Sequence, residues 1–211
     1  MVSDRGVGRP PAVFHRLPDG VAGVALTFDD CDDGAAWHQI LDVLASEAVP
    51  AAFFGLGYRV EQFPDAARRT VAAGHFVGAH GWDHRDLTGL GHDDVVWRLR
   101  ADRKAWRRVG AAEVVAFRPP FGRYDASTLV AAGVAGYRQM MLWDVDPRDW
   151  QLPGAQVIVA RALADCSTGS VVDLHVTAQT AEALPALIAG LRRRGLPCLP
   201  LTAVAPRRAS R

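Results

Sequence analysis

Two histidines stand four residues apart, His80 and His84, and two aspartates stand side by side, Asp29 and Asp30. On a helical turn that histidine spacing sets two imidazoles on one side, close enough to share a metal ion. Adjacent aspartates at the end of an apolar run are costly unless one meets a cation and the other a partner such as Arg118. Each signal alone is weak, because seven histidines in 211 residues produce such a spacing by chance, and an Asp pair can be a helix cap beside an exposed residue. Together, two His and one Asp make a three-ligand set with open positions, the form of catalytic rather than structural zinc. Water in an open position is acidified towards neutrality, a carboxylate can take its proton, and a separate acid must serve the leaving group. Asp29 is available for the first task and His175 for the second, so the set describes hydrolysis of an amide or ester. The ligand set by itself also suits a non-haem iron oxygenase, which has no need of Asp29 or His175.

Such distant residues meet only if the fold gathers them. Short runs rich in Val, Leu, Phe and Ala at 21–28, 51–54, 75–79, 114–117, 137–142, 170–174 and 196–201 read as strands. Between them lie segments of helical period: 34–47 with Asp33 as N-cap, 64–73 closed by Gly74, 94–109, 126–132 closed by Gly133, a helix after Pro153 through 165, and 182–194 closed by Gly195. Strict alternation implies parallel strands with right-handed helical crossovers, and strands apolar on both faces fit burial in such a sheet. An eight-unit barrel usually takes about 250 residues, so the expected α/β architecture is a compact (β/α) barrel of seven parallel strands. An open doubly wound sheet is the alternative, but no GxGxxG or GxxxxGK[ST] supports its nucleotide-binding variants. Asp29, Asp30, His80, His84, Arg118, Asp146, Asp149 and His175 all fall at carboxyl ends of these strands, and in a parallel barrel those ends open onto one rim.

Length and composition suit one globular domain, with 49% hydrophobic and 22% charged residues. The division expected is an N-terminal extension over 1–20, the catalytic domain over 21–204 and a basic tail over 205–211. A net charge of +1 removes the warrant for nucleic-acid or membrane partners. Cys31, Cys166 and Cys198 are too scattered for a disulfide framework or a CxxC metal site. Residues 1–20 carry charges where an export signal needs an apolar run, and nothing reaches the ~20 apolar residues of a membrane span. The expectation is a cytoplasmic protein, exported only if a leader has been removed, monomeric, and acting on a small substrate rather than a polymer.

The strings Thr27-Phe28-Asp29-Asp30, His80-Gly81-Trp82-Asp83-His84, Arg118-Pro119-Pro120-Phe121-Gly122, Asp146-Pro147-Arg148-Asp149-Trp150 and Leu174-His175 follow one another along the chain. In order and spacing they resemble the motif series of the polysaccharide deacetylase family, the NodB-homology group of carbohydrate esterases. The resemblance runs from about residue 21 to 204. It implies a distorted (β/α) barrel and hydrolytic removal of N-acetyl groups from amino sugars, free or within an oligomer. It also implies that Asp30, His80 and His84 bind a divalent metal, commonly zinc, with cobalt, nickel, iron(II) and manganese as alternatives. By the same resemblance Asp29 is the general base, held ionised by Arg118, and His175 the general acid, oriented by Asp149. The Phe121 N–H would help stabilise the oxyanion, and Trp150 would wall the pocket for the acetyl methyl.

Three positions depart from that pattern. Cys31 replaces the usual Gly after the Asp pair, and is expected to be a silent packing residue. Gly81 replaces a Ser or Thr whose hydroxyl steadies the loop, which implies a looser site or a substitute hydrogen bond. Asp173 replaces an apolar residue two before His175 and should share its face of the strand. Either the strand bulges there or Asp173 pairs elsewhere, or it raises the pKa of His175 or meets a polar group of the substrate. Trp82 and Tyr124 flank the motifs and could stack on a sugar ring or pack in the core. His75 is expected to be a satisfied core histidine, and the Arg-rich helix around 98–108 a solvated face. Other readings are a cyclic-amide hydrolase on the same fold, a small-molecule deacetylase of a biosynthetic pathway, and a catalytically silent sugar-binding module, which would have lost a ligand, base or acid.

Overall fold

The computed structural model describes residues 8–201. Its strands are β1 (Ala12–Phe14), β2 (Ala25–Asp30), β3 (Ala52–Gly55), β4 (Phe76–Ala79), β5 (Ala116–Phe117), β6 (Gln139–Met141) and β7 (Val171–His175). They form one sheet in the order β1-β6-β5-β4-β3-β2-β7, and every ladder is parallel. Helices α1 (Gly34–Ser46), α2 (Gly57–Gln62), α3 (Pro64–Ala72), α4 (His92–Arg108), α5 (Ala126–Val134), α6 (Ala155–Asp165) and α7 (Ala178–Arg193) accompany it. The sheet curls until its edges touch, but no ladder joins them. Single bridges do, Arg16 opposite Ser170 and Val145 opposite Val172. The result is a distorted seven-stranded barrel, as expected.

One strand is exchanged relative to the expectation. Residues 196–201 contribute only a single bridge, Cys198 to Val24, because Pro197 and Pro200 on either side have no N–H to extend a ladder. The seventh strand is β1, inside the segment assigned to the extension; three residues after Pro10 and Pro11 are too few to show a period. Residues 202–204 and the expected tail at 205–211 lie outside the described residues.

Successive residues of a strand face opposite ways, and this sorts the core. Phe28, Phe53, Trp37 and Trp106 belong to the larger cluster between sheet and helices. Ala25, Ala52, Phe54, Ala116, Met141 and Val171 fill the barrel interior with Leu17 and Leu201. Continuing the inward column by two or four residues brings Thr27 and Asp29 on β2, Arg118 just after β5, and Asp173 and His175 on β7. The interior is therefore apolar at the amino ends of the strands and polar at the carboxyl ends.

Candidate active site

β2 and β7 are neighbours in a register that pairs Thr27 with Asp173 and Asp29 with His175. Asp173 therefore sits in a regular ladder, without a bulge, and faces the same interior as His175. By strand alternation Asp30 should face away from Asp29. Its backbone is instead left-handed, φ 64°, and this turn at the strand end lets both carboxylates address one cavity. Cys31 follows with φ 63°, the conformation that Gly accepts most cheaply. Its thiol is fully buried in the core cluster, and burial beside Asp30 and Asp29 raises its pKa well above the ordinary range.

Asp30, His80 and His84 each present one ligand atom, and all three atoms lie within 4.8 Å of one another. Asp30 Oδ1 is 3.3 Å from Nε2 of both His80 and His84, and it is buried without a hydrogen-bond partner. About 3.3 Å is the edge of a tetrahedron with metal–ligand bonds of 2.0–2.1 Å. A buried carboxylate oxygen left unpaired is expensive, so both the spacing and the orphaned atom fit a divalent metal. His80 Nδ1–H donates to the Arg118 carbonyl at 2.9 Å, which leaves Nε2 as the free lone pair. Burial raises the Asp30 pKa, but the close approach of His80, and the positive charge that His80 and His84 carry when protonated, outweigh it and bring it to about 2. Burial lowers the pKa of His84, which favours the neutral, ligating imidazole.

Beside this triad, the fully buried Arg118 donates from Nη1 to Asp29 at 2.6 Å, Asp173 at 2.8 Å and Thr27 at 2.9 Å. Its Nε and Nη2 are used on the carbonyls of Met141 and Leu142, and Phe54 lies 4.4 Å beneath it. One guanidinium thus serves two carboxylates. Burial and the neighbouring Asp29 push the Asp173 pKa well up. Across the cavity, His175 Nδ1–H donates to Asp149 Oδ1 at 2.8 Å. The buried Asp149 also receives the His175 N–H and the Thr180 hydroxyl, each at 2.7 Å. Burial works against protonation of His175, but the Asp149 hydrogen bond and the charges of Asp173, Asp149 and Asp29 raise its pKa to about 10.

Asp29, Asp30, His80, His84, Phe121, Trp150, Asp173 and His175 line a single cavity of about 460 Å³, together with Trp143 and Asp146. Arg118 and Asp149 stand behind its wall. Phe121 has φ 60° and packs edge-on against His84 at 4.4 Å. Trp82 and Tyr124 do not line the cavity; Trp82 packs on Trp97 instead. Trp143 was missed as a wall residue although it follows β6 at the barrel rim, the signal by which the others were found.

The loop from His80 to His84 is strapped from two helices. The Gly57 N–H donates to the Gly81 carbonyl at 3.0 Å and the Tyr58 N–H to the Trp82 carbonyl at 3.2 Å, both from the first turn of α2. From α4, the guanidinium of Arg98 pairs with Asp83, and Asp102 Oδ2 accepts the His80 N–H at 2.8 Å. The face of α4 at Arg98 is therefore not solvated, since Arg98 is 6% exposed. Its position one turn from Asp94 and beneath the loop draws it inward.

The family profile described as "Polysaccharide deacetylase" matches residues 18–140. A chitooligosaccharide deacetylase of Sinorhizobium fredii is 37% identical over 195 residues, 85% of this chain and 90% of that protein. A peptidoglycan-N-acetylglucosamine deacetylase of Bacillus cereus is 30% identical over 188 residues, 87% of this chain and 88% of that protein. A solved structure from Bacillus anthracis, described as a pseudoenzyme of the CE4 family, superposes with a TM-score of 0.85 at 26% identity, over 92% of this chain and 69% of that one.

Proposed function

The chain belongs to the polysaccharide deacetylase family, and on that premise we propose that it is a metal-dependent hydrolase removing the N-acetyl group from an amino sugar or its oligomer. The observation that carries the reading is the convergence of Asp30 Oδ1 on two imidazole nitrogens at 3.3 Å in the same cavity as Asp29 and His175. Asp30, His80 and His84 would hold the metal, with zinc the first choice for a donor set of one oxygen and two nitrogens. When bound, a divalent metal supplies a Lewis acid for the acetyl carbonyl and lowers the pKa of water in the site. Asp29 takes the proton of the attacking water, and Arg118 holds the side chain so that a lone pair faces the cavity. His175 gives its Nε2 proton to the departing amine while Asp149 fixes the ring and its tautomer. The Phe121 N–H completes the donors for the oxyanion, and Trp150, more than half exposed, walls the acyl end of the cavity. Relatives that are catalytically silent exist on this fold, but here the ligand set, base and acid are all present.

Asp173 gives the cavity a polar wall on the same strand as His175, so a substrate that brings a hydrogen-bonding function to that wall is accommodated as well as a plain N-acetylated amino sugar. The test is product release from chitooligosaccharides, peptidoglycan fragments and free glucosamines bearing N-acetyl, N-formyl or N-glycolyl groups, with zinc or cobalt added. Chelation is expected to abolish turnover, and Asp29→Asn to keep one equivalent of zinc while losing about 10²- to 10⁴-fold in kcat. Full activity of the metal-free protein would overturn the assignment.

A further inference from the structure

Asp102 is a buried carboxylate with no part in the chemistry above. It lies in the middle of α4 with none of its surface exposed. Among the described residues it forms no ion pair, and its Oδ1 has no hydrogen-bond partner. Aspartate is a poor residue for a helix interior, and an unpaired buried carboxyl is costlier still. What it does hold is backbone: Oδ2 accepts the His80 N–H at 2.8 Å, and the Gly81 N–H is directed at the same carboxyl. Those two amides open the loop that carries both imidazoles of the metal triad.

The conformation of Gly81 explains the arrangement. Its φ is 87°, a backbone geometry that favours a residue without a side chain, so the loop has no side chain at this position to steady it. We infer that Asp102 is the substitute: a positioning residue that reaches from α4 to fix the His80–Gly81 backbone, so that His80 Nε2 and His84 Nε2 meet at Asp30. The proposal rests on the reading that Asp30, His80 and His84 bind a metal. The side chain of His80 is fixed at one end by the Arg118 carbonyl and its main chain at the other by Asp102. With both held, the ring has no freedom to swing away from Asp30. Ligands held this way bind metal more tightly, and loss of such an outer partner typically costs about 10- to 100-fold in affinity.

The experiment compares zinc affinity, the visible spectrum of the cobalt-substituted protein, and amide hydrogen exchange of the metal-free protein in the wild type, Asp102→Ala and Asp102→Asn. His84→Ala is the control for the metal site itself. Asp102→Ala is expected to weaken zinc binding about 10- to 100-fold, alter the cobalt bands and speed exchange at His80 and Gly81. Asp102→Asn, which keeps a carbonyl acceptor, is expected to restore most of the affinity and the wild-type spectrum. Wild-type affinity and spectrum in Asp102→Ala would overturn the positioning role, while zinc binding unchanged by His84→Ala would overturn the metal reading on which it rests. If Asp102→Ala does not fold, Asp102→Asn decides: a folded variant with zinc affinity reduced as far as expected for Ala sinks the proposal.

Discussion

His175 holds its proton by a balance of opposed effects. Burial disfavours the imidazolium, and the hydrogen bond to Asp149 with the charges of Asp173, Asp149 and Asp29 more than reverses this, to about 10. A folded-state pKa above the ordinary 6.5 contributes stability that is complete below about 6.5 and is lost as pH rises through about 10. Asp149→Asn removes the principal favourable partner and leaves the burial. In the metal-free variant, NMR titration of the His175 ring should therefore give a pKa several units lower than in the wild type. The pH-dependent part of the stability difference between the two should be full below about pH 6.5, shrink as pH rises from there and be gone above about 10. With His175 as the proposed general acid, the basic limb of the activity profile should move to lower pH as well, because its proton is lost sooner. A stability difference that is flat with pH would show that Asp149 acts only as a packing and hydrogen-bonding residue.

The elements divide into those with sequence punctuation and those without. α1 was readable because Asp33 caps it through Ala35 and Ala36, and the inward polar column was readable because strand ends are followed by Asp, His and Arg. α2 was not: its N-cap is Leu56 without a side-chain cap, and Phe63 both ends it and begins α3. The left-handed turn at Asp30 that aims both aspartates the same way was likewise invisible in residue type. On α4 the many arginines suggested a solvated face, yet Arg98, Asp102 and Trp106 recur every four residues on the buried stripe; a charge on that stripe was the available signal. α2 matters because it meets α4 at Gly57, where a Cβ would stand 2.7 Å from the Asp102 Cα and 2.7 Å from the Trp82 ring. The first of these is backbone and cannot yield by a rotamer change. Gly57→Ala should cost about 1–3 kcal/mol in urea unfolding and should weaken zinc binding, since the strap to Gly81 moves with α2. An unchanged midpoint would mean that the two helices have slack.

At the scale of the whole molecule, the barrel depends on how its edges are closed. Where a ladder is missing, Asp144 bridges three segments: Oδ1 accepts the Val171 N–H at 2.7 Å, Oδ2 accepts the Ser170 hydroxyl at 3.0 Å, and the carboxylate pairs with Arg16 beyond β1. Next to it the Asp173 N–H donates to the Val145 carbonyl at 2.8 Å, so the same seam sets the height of Asp173 and His175 in the cavity. An exposed ion pair contributes little, but the Val171 amide belongs to a residue with no exposed surface and has no water to replace the carboxylate. Asp144→Ala should therefore destabilise the fold by about 1–3 kcal/mol, the cost of a buried donor left unsatisfied, and Asp144→Asn by less. The loss should be local before it is global. Amide exchange should quicken at Val171 and Asp173 while His80 and Gly81, on the far side of β2, keep their protection and the zinc affinity stays at the wild-type value. Exchange that quickens equally at all four amides would show that the barrel opens as one unit, and that the seam does not set the position of His175 independently of the metal loop.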